Sequence, residues 1–62
     1  MSNKDLAIIL QNDYEEEFDS ITSDVALVTR ATELASNEFT LTEDDSSSVG
    51  REVLKLYSEV NA

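Results

Sequence analysis

The chain has 62 residues, a formal net charge of −10 and neither cysteine nor histidine. That leaves room for one domain over 1–62 and excludes disulfides, thiolate metal centres and imidazole-based zinc or copper sites. The four cations, Lys4, Arg30, Arg51 and Lys55, are too few to neutralise a phosphate backbone. This argues against direct nucleic-acid or membrane binding, and any electrostatic partner is expected to be basic.

High net charge with few aromatics is a signature of disorder. Here, however, 40% of residues are hydrophobic and they recur at helical period, so an ordered chain is expected. Ser2, with Asp5 three residues on, starts a helix as a capping-box-like pair. Leu6, Ile9, Leu10, Tyr14 and Phe18 follow as one stripe, with Ile8 facing away. From Tyr14, the positions Phe18, Ile21, Val25, Val28, Thr32 and Ala35 alternate at four and three residues, the spacing of a coiled-coil seam. The hydroxyl residues at 20–23 compete for backbone groups and are the one place where this helix would break. Because the apolar phase runs straight through them, a continuous helix over about residues 3–38 is expected, about 54 Å long.

Residues 39–42 read as a short extended connector. Thr42 is the next N-cap, with Glu43, Asp44 and Asp45 in the first turn. Val49, Val53, Leu56 and Val60, widened by Leu54 and Tyr57, mark a second helix of about 27 Å. Gly50 inside it points to a close approach between helices. The expected fold class is therefore all-α: a long N-terminal helix with a shorter antiparallel C-terminal helix, as a helical hairpin or small bundle. The shorter helix covers only half of the longer one. Leu6, Ile9, Leu10, Tyr14, Phe18, Ile21, Val25 and Val28 then form a self-association seam, and a homodimer is expected to cover it, since small soluble monomers rarely leave such a patch open. A break at 20–23 gives a monomeric three-helix bundle instead.

Catalysis lacks its parts. There is no Cys, no His to activate a serine and no glycine-containing elbow. Carboxylates are plentiful, but helices this small make no pocket to separate their pKa values, so a non-enzyme without cofactor is expected. A twelve-residue calcium frame from Asp13 to Asp24 has Phe18 where the turn needs Gly and Asp where it should end in Glu, so no metal site is assigned. The longest apolar run, residues 6–10, is too short for a bilayer span or a signal peptide, and a soluble cytoplasmic protein is expected.

Acid is the distinguishing feature. From Asp5 to Asp45 there are twelve acids and a single cation, Arg30. Asp13 and Glu17 are four apart, as are Glu15 and Asp19, about 6 Å along a helix, a spacing that resembles successive phosphates on a nucleic-acid strand. Asp13, Glu15, Glu16, Glu17, Asp19 and Asp24 are therefore the candidate partner-binding residues, with Ile8 or Tyr14 as an apolar anchor. The expected function is a non-catalytic inhibitor or decoy that mimics nucleic acid in the basic site of a nucleic-acid-binding protein or defence enzyme. In kind this resembles small virus-encoded inhibitors, which would place it in host cytoplasm, although no motif matches a particular family. Two other readings stand beside it. In one the acids serve only solubility; in the other the chain is a helical adaptor or virion assembly component binding through its apolar seam.

Overall fold

The computed structural model describes the backbone through residue 61 and side chains through residue 58. It contains four helices, α1 (Asn3–Asp13), α2 (Glu15–Asp19), α3 (Asp24–Phe39) and α4 (Glu43–Asn61), and no strand among the described residues. None of these helices is long and apolar enough to cross a membrane. The all-α class expected from the sequence is what forms, as a small bundle in which α4 packs against both α3 and α1.

The two helix starts read from the sequence are present. Ser2 Oγ accepts the Asp5 N–H at 3.2 Å, and the Asp5 carboxylate accepts the Ser2 N–H at 3.4 Å, a complete capping box. Thr42 Oγ1 accepts the Asp45 N–H at 3.2 Å. The connector is shorter than expected, because α3 runs on to Phe39 and ends at Thr40, which takes the left-handed conformation (φ 52°, ψ 49°).

The expected rod of residues 3–38 does not form, and the longest dimension of the molecule is 28 Å. The helix is interrupted first at Tyr14 (φ −120°, ψ 27°) and then at 20–23. Ser20 Oγ donates to the Glu17 carbonyl at 2.7 Å, while Ser23 is extended and its Oγ accepts the Ala26 N–H at 3.3 Å. Hydroxyl competition for the backbone thus outweighs continuity of the apolar phase. Once the backbone leaves the helix, α3 is free to rotate about its own axis. Its buried line becomes Leu27, Ala31, Leu34 and Ala35. Val25, placed on the seam by the sequence, is 77% exposed.

The rest of the expected seam turns inward. Leu10 and Phe18 are buried with Ala7, Leu27, Ala31, Leu34, Ala35, Val49 and Val53, and Leu6, Tyr14 and Ile21 pack against that core. Ile9 and Val28 are half-buried. The chain therefore uses these side chains on itself, and the half-uncovered rod that motivated a homodimer does not arise. Phe18 is the one buried residue of α2. Its ring meets Tyr14 at 6.2 Å and, edge-on, Tyr57 of α4 at 6.4 Å between centroids.

Small residues set the distance between α3 and α4. Gly50 is buried, and a Cβ there would collide with Thr32 Oγ1 and stand 2.8 Å from the Val28 carbonyl oxygen. A hydroxyl can rotate away, but a helix carbonyl cannot. Gly50→Ala gains about 1 kcal/mol of helix propensity against about 1–3 kcal/mol of overpacking. The expected result is a lowered thermal midpoint, and a raised one would mean that the helices do not touch at this point. Phe18→Ala should cost about 3–5 kcal/mol, against a total of about 3–9 kcal/mol for a chain this size. In a urea titration followed by far-UV circular dichroism, this variant should have lost most or all of its folded baseline.

Candidate functional site

Helix starts account for much of the acid. Eight of the fourteen carboxylates, Asp5, Glu15, Glu16, Glu17, Asp24, Glu43, Asp44 and Asp45, lie in the first turn of a helix, where the positive end of the macrodipole favours them. Asp13 and Asp19 do the opposite. Each is the last residue of its helix, α1 and α2 respectively, at the end of the macrodipole where negative charge costs about 0.3–1 kcal/mol. Both are exposed, neither is in an ion pair among the described residues, and no helix has a basic residue in its last turn.

Of the six sequence-predicted binding residues, Asp13, Glu15, Glu16, Asp19 and Asp24 are exposed. They lie on α2 and at the chain breaks that flank it. Glu15 and Asp19 keep their four-residue spacing within α2, but Asp13 and Glu17 are separated by the interruption at Tyr14. The two-line array expected on a rod is therefore broken into two sets, Asp13, Glu15 and Glu16 about one hollow and Asp19 and Asp24 about another. The first hollow, between α1 and α2, has a volume of about 450 Å³. Among the described residues no three acids converge as a metal ion would need.

Glu17 departs from the group. Its Oε2 lies 2.6 Å from Arg30 Nε, and Arg30 Nη1 is 3.7 Å from Glu33 Oε2. The Glu17 hydrogen bond and charge hold the guanidinium protonated beyond its ordinary range. Glu17 is thus a tie between α2 and α3 and is not available in the same way as its neighbours.

Tyr14 is likewise a tie and not the free anchor suggested by the sequence, since its hydroxyl donates to Glu38 Oε1. The sequence carried no signal for either tie, with 13 and 24 positions separating the partners. The other suggested anchor, Ile8, is 39% exposed.

No family model, curated protein or solved structure matches the chain. What it can do is therefore set by its own residues, because a small helical bundle hosts many functions.

The hydrogen bond to Glu38 raises the Tyr14 pKa above its usual 10.0. Burial raises that of Tyr57, with Gln11 acting in the opposite direction and the Asp19 charge adding to the rise. Folding thus favours the neutral phenols. Their contribution to stability is complete below pH 10 and lost as pH rises through the folded-state values. In a base titration, native tyrosinate absorbance should rise at higher pH than in urea. Stability should fall over the same range, and Tyr14→Phe should remove part of that fall.

Proposed function

We propose that the protein is a non-catalytic acidic binding protein that presents the acids of α2 and its flanking breaks to a basic protein surface, of the kind that ordinarily holds nucleic acid. One observation carries the reading. Asp13 and Asp19 are exposed, unpaired among the described residues, and placed at helix C-termini, where they weaken the fold that bears them. Solubility alone would be served by carboxylates anywhere on the surface. Charge concentrated on and beside α2 instead raises the local potential, which speeds encounter with a cationic site and gives it direction. The mimicry is of phosphate density, with Glu15, Glu16 and Asp24 completing the set. An adaptor working through the apolar seam has less support, because Leu10 and Phe18 are spent in the core.

The test separates binding from folding. In the triple variant Asp13→Asn, Glu16→Gln, Asp19→Asn, two of the three changes relieve unfavourable dipole contacts, so the thermal midpoint should hold or rise. Affinity capture from cell lysate at low salt should recover a nucleic-acid-binding protein with the native chain and lose it with the variant. Duplex DNA should compete for the captured protein. Equal recovery by both chains, or recovery indifferent to salt and DNA, would reject the reading.

A further inference from the structure

A groove of about 550 Å³ runs between the α2–α3 turn and the later part of α4. Phe18, Ile21, Leu27 and Leu54 give it an apolar floor, and the exposed Asp19 and Asp24 line its edge. Neither carboxylate is in an ion pair among the described residues. Tyr57 lines the same groove, with its Oη shielded from solvent beside Gln11 and Asp19.

We propose that this groove docks a short basic segment of the partner protein. One aliphatic side chain of the segment lies on Ile21 and Leu54, and a flanking Lys or Arg pairs with Asp19 and Asp24. This rests on the basic partner inferred above and adds the source of its specificity, since charge alone steers while a buried apolar anchor discriminates. Charge complementarity selects this occupant. A second copy of the chain, at −10, would bring further acid to an acidic edge. A neutral apolar ligand would cover two carboxylates without answering their charge.

The experiment is an NMR titration at low ionic strength with a synthetic peptide holding one leucine between two Lys-Arg-Lys tripeptides, beside the same peptide with alanine for leucine. The leucine peptide should bind about tenfold tighter, as expected for burying one such side chain, with amide shifts at Ile21, Thr22, Leu54 and Ser58. Asp19→Asn should weaken both peptides about two- to fivefold, the worth of one exposed ion pair, without lowering the thermal midpoint. Equal affinity for the two peptides, with shifts confined to residues 13–17, would overturn the groove while leaving the anionic surface intact. Failure of both peptides to bind would overturn the two together, and unchanged affinity in Asp19→Asn would remove that carboxylate from the site.

Discussion

Within four residues, Ser20 Oγ bonds the Glu17 carbonyl behind it and Ser23 Oγ accepts the Ala26 N–H ahead of it. The backbone leaves one helix and enters another without glycine or proline. That exchange of backbone partners decides the architecture, because an unbroken helix would have carried its greasy edge past anything this short chain could lay against it. With the turn in place, α3 reorients on its own axis, α4 finds both α1 and α3, and Leu10 and Phe18 become interior. Two hydroxyl contacts, each modest in net free energy, thereby select how a much larger apolar area is buried.

The same segmentation explains the charge. Four helices in so short a chain supply four N-termini, and acids fill the first turn of each. What would be an improbable excess of carboxylate on a rod is, in a segmented bundle, largely a set of helix-start devices. Asp13 and Asp19 remain outside that economy, and Glu38 would too, were it not the acceptor for Tyr14. Function is sought where the local rules are broken without an evident structural return.

Features governed by a few neighbouring residues were legible in the sequence. The Ser2–Asp5 box, the Thr42 cap, the helical identity of nearly every segment and the tight contact at Gly50 all follow from spacing and residue type. The interruption at 20–23 was legible as a competition but not in its outcome, because hydroxyl bonding and apolar phase point opposite ways there and residue type alone does not weigh them. The axial rotation that exposes Val25 could not be read at all, since a helical wheel holds its phase only while the helix continues. Thr40 in the left-handed region carries no compositional warning either, as glycine or asparagine is the usual occupant of such a cap. Of the candidate site, the acids were visible, but the Arg30–Glu17 and Tyr14–Glu38 pairings and the groove beside Leu54 exist only once distant segments meet.

Compactness has a further consequence. Ten net negative charges sit on a body with a radius of gyration of 10.3 Å, about one Debye length at 0.1 M ionic strength. Every carboxylate is therefore within repelling distance of others, and added electrolyte relieves that repulsion in the folded state even as it shields the attraction to a cationic partner. Tightening of the lone chain and loosening of its complex are opposite faces of the same screening. A cell's ionic composition would then set how rigid the protein is at the moment it meets its target.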